Sequence, residues 1–135
     1  MDAYDADVLI YAASESPRGR SVRDLFGAAA AQDRPAGVGS ALLIPETLSK
    51  PLRLGIMSEY HALKDLLGQL DLVAADVQVA QLATSLGATY GLRTLDATHL
   101  ATAISAGADR FITNNRSDFT DEITEIDISY PDQLE

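Results

Sequence analysis

The sequence predicts an α/β domain, a small and mostly parallel sheet covered by helices, and three observations carry that prediction. Short apolar runs alternate with helical stretches along the whole chain, the pattern of parallel strands and their crossover helices. The 135 residues suit one domain and not two, so residues 1–135 are expected to fold as a single unit. Hydrophobic residues make up 47% of the chain, enough to fill a core without the staples that its lack of cysteine rules out.

Each element has its own signal. Ala3 to about Asp5 reads as the end of a first strand. The run Val8-Leu9-Ile10-Tyr11-Ala12-Ala13 either extends that strand or begins a helix capped by Asp7, because its period does not decide. Ser21 to Ala31 is helical, with Val22, Leu25, Phe26 and Ala29 at i, i+3, i+4 and i+7. Gly37-Val38-Gly39-Ser40 suggests a second strand. Pro45 then suits the first turn of a helix running to about Leu54, which Gly55 can end. Tyr60, Leu63, Leu66, Leu67 and Leu70 mark another amphipathic helix. Leu72-Val73-Ala74 is a candidate strand, and Asp76 caps a helix carrying Val79, Leu82, Ala83 and Leu86 inward. A helix from about Leu95 to Ser105 ends at Gly107. Arg110-Phe111-Ile112-Thr113 is the clearest strand; a polar loop from Asn114 to Ser117 follows, and Ile123 to Ile128 supplies a last strand.

Composition limits the function. No apolar run approaches the roughly 18 residues of a membrane span. The acidic start, Met1-Asp2-Ala3-Tyr4-Asp5, lacks the basic opening of a secretory signal, so a cytoplasmic protein without a membrane partner is expected. Twenty acids against ten bases give a net charge of −10, the opposite of the usual nucleic-acid binder. The excess is uneven, since seven acids and no base follow Arg116. Carboxylates gathered around bound cations also make a locally positive site.

In such sheets ligands bind beyond the carboxyl ends of the strands. Four acids fall there: Asp5 after the first strand, Glu46 at the start of the helix after the second, Asp96 opening the long helix, and Asp118 after the Phe111 strand. Singly, Asp96 suits a helix cap, Glu46 a first-turn acid and Asp118 a turn. Asp5 is harder to explain that way, because an acid beside buried strand residues is costly unless it is paired or metal-bound. As a set, four oxygen donors with two scattered histidines suit hard cations such as magnesium or manganese, and not zinc. Two such ions can activate a water and stabilise the leaving oxygen of a phosphodiester. His99 lies on roughly the same helix face as Asp96, where it suits a group supporting the site from behind, although a packed or solvated histidine is the commoner role. Arg53, Arg93 and Arg116 suit bidentate phosphate contacts, with salt bridges at least as common a role for them.

The motifs are also recognisable. Tyr4-Asp5-Ala6-Asp7-Val8-Leu9-Ile10-Tyr11 resembles the opening signature of PIN-domain ribonucleases, and Pro45-Glu46-Thr47-Leu48 with Pro51-Leu52-Arg53 resembles their second acidic motif. Leu95-Asp96-Ala97-Thr98-His99-Leu100-Ala101-Thr102-Ala103 with Gly107-Ala108-Asp109 is similar to the third. Phe111-Ile112-Thr113-Asn114-Asn115-Arg116-Ser117-Asp118-Phe119 is similar to the fourth. The motifs cover nearly the whole chain in family order, and its size resembles the VapC-like toxins of type II toxin–antitoxin pairs. That resemblance implies a three-layer α/β/α sandwich, metal-dependent endoribonuclease activity on RNA, a homodimer and an antitoxin that plugs the acidic site. It implies Asp5, Glu46, Asp96 and Asp118 as catalytic metal ligands for Mg2+ or Mn2+, with Thr113, Asn114 and Asn115 supporting them. In one departure, many relatives carry an aspartate where this chain has Asn115, which leaves open whether Asn115 or Asp118 completes the set.

Two rival readings remain. A catalytically inactive RNA-binding or regulatory module would keep the fold without the chemistry, yet all four acids are present. A phosphatase of the haloacid dehalogenase type would use Asp5-Ala6-Asp7. It fails because the Thr113-Asn114 segment comes too late for that family's remaining motifs, and Leu9 stands where it needs threonine.

Overall fold

In the computed structural model, which describes residues 1–134, the chain builds five short strands: β1 (Asp2–Tyr4), β2 (Gly37–Ser40), β3 (Leu70–Val73), β4 (Arg110–Ile112) and β5 (Asp127–Ser129). Six α-helices lie between them: α1 (Ala6–Ala13), α2 (Arg20–Ala31), α3 (Leu43–Leu54), α4 (Met57–Leu67), α5 (Val77–Tyr90) and α6 (Thr94–Ser105). The strands form one sheet in the order β3-β2-β1-β4-β5, and every neighbouring pair is parallel. The chain winds outward from β1 to β3, then returns to the other side of β1 for β4. The gap between the carboxyl ends of β1 and β4 is therefore the topological switch point, where sheets of this kind bind ligands.

Side-chain alternation along the strands divides the core in two. Ala3, Val38 and Phe111 face one side, where Leu86, Leu100 and Phe119 pack against them. Tyr4 and Ile112 face the other, packed with Leu9, Phe26, Leu43 and Leu63. Helices α5 and α6 thus cover one face of the sheet and α1 to α4 the other, giving a three-layer α/β/α sandwich. Gly37 lets β1 and β2 approach, since a Cβ there would stand 2.2 Å from the Asp2 carbonyl oxygen. Gly55 ends α3 in the left-handed conformation, as its sequence position suggests.

Some expectations are corrected. The Val8–Ala13 run is helix α1, and Asp5, not Asp7, is its N-cap. The cap decides where period could not: the Asp5 side chain accepts the Ala6 N–H and turns the chain out of the sheet. Leu70 belongs to β3 and not to the preceding helix, because Gly68 ends α4 and the next residues pair with β2. Ile123 and Ile126 are buried from a loop, and the last strand begins only at Asp127. Among the described residues, no helix is long and apolar enough to cross a membrane.

Candidate functional site

The switch point is built by β1 and β4. The Asp5 backbone N–H donates to the Ile112 carbonyl at 2.9 Å, prolonging the strand pairing by one step. The next residue on each chain is then polar and buried: Asp5 is 4% exposed and Thr113 0%. Their side chains meet, the Thr113 hydroxyl donating to Asp5 Oδ2 at 2.7 Å while Asp5 Oδ1 accepts the Ala6 N–H at 2.8 Å. Burial raises the Asp5 carboxyl above the ordinary carboxylate range. The Thr113 hydroxyl, His99 and the Ala6 N–H draw it down, and Glu46 pushes it up.

Two more elements bring acids to the same place. Glu46 lies in the first turn of α3, and Asp96 in the first turn of α6. Asp96 is not the cap of its helix; Arg93 holds that position and makes no side-chain cap bond. The Asp96 carboxyl is raised by burial, then by Asp5, Glu46 and Asp118, while His99 lowers it. The charges of the other three candidates, Asp5, Glu46 and Asp118, thus all reach Asp96. Asp118 is exposed in the loop after β4, where its Oδ2 accepts from Asn115 Nδ2 at 2.8 Å. The Asn115 Oδ1 accepts from the Ser117 hydroxyl and the Asp118 N–H. Asn115 thus folds the loop with its side chain, and Asp118 carries the charge that Asp96 senses.

Two further members lie outside the four acids: Asp7, which the sequence offers only as a helix cap, and His99, for which it favours packing over a supporting role. Asp7 accepts the Asn114 N–H with both oxygens at 3.2 Å, and its carboxyl is pushed up to about 7, by burial first and by Asp5 second. His99 is 2% exposed, and its Nε2 lies 2.5 Å from Glu46 Oε1. The signals were present, Asp7 two residues beyond Asp5 and His99 one helical turn beyond Asp96. A helix cap and a packed histidine are the commoner roles of such residues. Asn114, expected as a support, contributes its backbone to Asp7, and its buried Nδ2 has no partner among the described residues.

The charges acting on Asp5, Asp7 and Asp96 come from other acids and from His99, with no lysine or arginine among them. Buried like charges that raise one another's pKa are the condition a cation relieves. An all-oxygen set of this kind fits a hard divalent ion. Among the described residues, no three His, Asp or Glu side chains form a ready-made metal cage. Magnesium does not require one, since it is held by one or two carboxylates with water filling its other positions.

Comparison with known proteins matches residues 4–121 to the PIN domain family. No curated protein sequence matches the chain. Among solved structures, it is similar to a toxin–antitoxin complex from Klebsiella pneumoniae at TM-score 0.70 and 20% identity, over 95% of this chain and 100% of that one. It is similar to a DNA-bound VapBC from Salmonella typhimurium at TM-score 0.76 and 18% identity, over 96% and 97%. A third is VapBC2 from Rickettsia felis bound to a fragment of its promoter DNA, at TM-score 0.73 and 14% identity, over 96% and 97%. At these identities the likeness is one of fold.

Proposed function

The chain belongs to the PIN domain family, and from that premise we propose that it is a divalent-metal-dependent endoribonuclease, the toxin of a type II toxin–antitoxin pair. The observation that carries this reading is the convergence of Asp5, Glu46, Asp96 and Asp118, acids from four separate parts of the chain, at the carboxyl ends of the strands. His99 stands beside Glu46, but no lysine or arginine is paired to any of the four among the described residues.

These four residues would hold Mg2+ or Mn2+. The bound ions would supply a water activated for attack and a counter-charge for the leaving oxygen of the RNA phosphodiester. The chain's own work is positioning. Thr113 orients Asp5 by its 2.7 Å hydrogen bond, and His99 holds the Glu46 carboxylate from beneath. Asn115 fixes the loop that carries Asp118. Asp7, in the first turn of α1, fastens the Asn114 backbone and so ties α1 to the loop after β4.

The solved structures described as toxin–antitoxin complexes support an antitoxin partner for this chain as well. Exposed apolar side chains around the α3–α4 corner, Leu52, Leu54, Ile56 and Met57, support a protein-contact surface, whether antitoxin or second copy in a homodimer. Cytoplasmic RNA would be the substrate. The rival reading, an inactive RNA-binding or regulatory module, draws on the absence of a ready-made cage among the described residues.

One assay separates the two. Purified protein free of any inhibitor is incubated with total RNA in magnesium, in manganese and in EDTA, beside Asp96→Asn. Discrete, EDTA-sensitive cuts that vanish in the variant are expected. Intact RNA under every metal would overturn the nuclease reading in favour of the module.

A further inference from the structure

Beside the acids lies a cleft of about 700 Å3, which Asp7 and Asn114 border on the side of the site and Tyr11, Arg18 and Arg116 border beyond them. Its volume falls in the range of ligand pockets. The two guanidinium groups differ. Arg116 stacks on the Tyr130 ring at 4.2 Å but is already paired with Asp132 at 2.5 Å. Arg18 lies 5.6 Å from the Tyr11 ring centroid and donates to the Tyr11 hydroxyl at 3.3 Å, with no carboxylate partner among the described residues. What sets Arg18 apart is its place, a guanidinium without a carboxylate partner among the described residues, lining the cleft that Asp7 also lines.

Its support is built, not incidental. Arg18 sits in the 3-10 turn Pro17–Gly19, which presses on α1 so closely that a Cβ at Gly19 would stand 2.1 Å from the Tyr11 carbonyl oxygen. Arg23 clamps the same junction, donating to the Ser14 carbonyl at 2.8 Å and the Ser16 carbonyl at 3.2 Å. The turn is thereby fixed relative to α1, and α1 begins at Asp5. A guanidinium carried on a fixed turn, with donors that no carboxylate occupies among the described residues, is suited to a phosphate.

We propose that this cleft seats the nucleotide next to the scissile phosphodiester of the RNA strand, with Arg18 holding its phosphate. The inference rests on the ribonuclease reading above. Asp7 lines the cleft two residues after Asp5, and Asn114 lines it one residue after Thr113, so the cleft adjoins the hydrogen-bonded Asp5–Thr113 pair. Arg18 binds without taking part in bond breaking, and its effect falls on affinity.

The test is steady-state cleavage of a labelled single-stranded RNA in magnesium over a range of NaCl concentrations. It compares the unmodified chain, Arg18→Gln, Arg18→Lys and Arg34→Gln. Arg34 precedes β2, at the amino ends of the strands and so across the sheet from the acids, and serves as the control. Arg18→Gln should raise KM roughly tenfold with kcat changed by less than about twofold. It should also flatten the dependence of log(1/KM) on log salt by about 0.7, the value of one contact to a single strand. Arg18→Lys should keep the salt slope, and Arg34→Gln should match the unmodified chain. Cleavage by Arg18→Gln with unchanged KM and slope would overturn the cleft assignment and leave the nuclease reading standing. A loss confined to kcat would overturn it too. Absence of cleavage by the unmodified chain would overturn the nuclease reading and this inference together.

Discussion

Thr113 and Asp5 are 108 residues apart in the sequence, yet the Thr113 hydroxyl donates to Asp5 Oδ2 at 2.7 Å in a buried bond across the switch point. The bond joins the first and fourth strands at the place where the proposed chemistry occurs. It also lowers the Asp5 carboxyl against the upward push of burial. Thr113→Val keeps the shape and removes the donor. Asp5 should then ionise at higher pH, moving the acid limb of the kcat/KM profile upward. A hydrogen bond to a charged group contributes about 1.5–3 kcal/mol, so urea melts should show a loss in that range. A variant with the acid limb of the unmodified protein would show that Asp5 ionisation does not limit turnover.

Asp96→Asn removes one charge from a crowd of like charges. Asparagine is nearly isosteric, and Asp96 is only partly buried in the first turn of α6. Cleavage should fall by on the order of 10²–10³-fold or more, the scale of losing a main electrostatic group. Thermal stability without metal should hold or rise, because Asp5, Glu46 and Asp118 no longer face this charge. Activity within about twofold of the unmodified protein, measured on folded variant, would remove Asp96 from the site.

The contact between His99 and Glu46 links α6 to α3 beneath the acids. Residues that orient a metal-binding side chain from behind typically cost 10–100-fold on removal. His99→Gln, which retains a donor, should be the milder change and His99→Ala the more severe. The loss should appear as a weaker apparent affinity for magnesium in titrations of activity. Equal magnesium titration curves for both variants and the unmodified protein would leave His99 a packing residue only.

Most of the architecture could be read from local signals, and the failures have physical causes. Val22, Phe26 and Ala29 announce α2 by their spacing, and Asp76 caps α5 where its position suggests. The Val8–Ala13 run has no such period, because α1 buries Val8, Leu9 and Ala12 and leaves little polar face to mark. Only the cap at Asp5 betrays it, and that acid was occupied by another reading. Asp5, Glu46, Asp96 and Asp118 follow strand ends or open helices, so topology brings them together. His99 and Asp7 differ, since their roles depend on which group stands opposite, the Glu46 carboxylate 53 residues away for His99 and the Asn114 N–H 107 residues away for Asp7.

Growth offers a test of the partner. Expression of the chain alone should arrest a bacterial culture, and co-expression of its antitoxin should restore growth and copurify with it. Substituting the exposed Leu52 and Leu54 on α3 by serine should weaken that copurification while RNA cleavage by the free protein persists. Copurification unaffected by both changes would place the antitoxin elsewhere.

The acids also predict an unusual dependence on pH. Asp7 has its carboxyl raised from 3.8 to about 7, and Asp5 and Asp96 are raised as well. A group whose folded pKa exceeds its unfolded value makes the folded state bind more protons between the two. Without metal, stability should therefore fall as pH rises from about 4 to about 7, and it should recover on acidification through that window. Asp7→Asn should flatten this slope and raise Tm at pH 7–8 by roughly 4 °C for each kcal/mol of relieved repulsion. A divalent ion acts in the opposite direction, because it binds the ionised carboxylates and stabilises only the folded state. Melting in EDTA and in saturating magnesium at pH 5 and pH 8 gives the comparison. The magnesium-induced rise in Tm should be larger at pH 8, where protons no longer compete with the ion. An equal rise at both values would mean that magnesium binds away from these acids, and the proposed site would have to be abandoned.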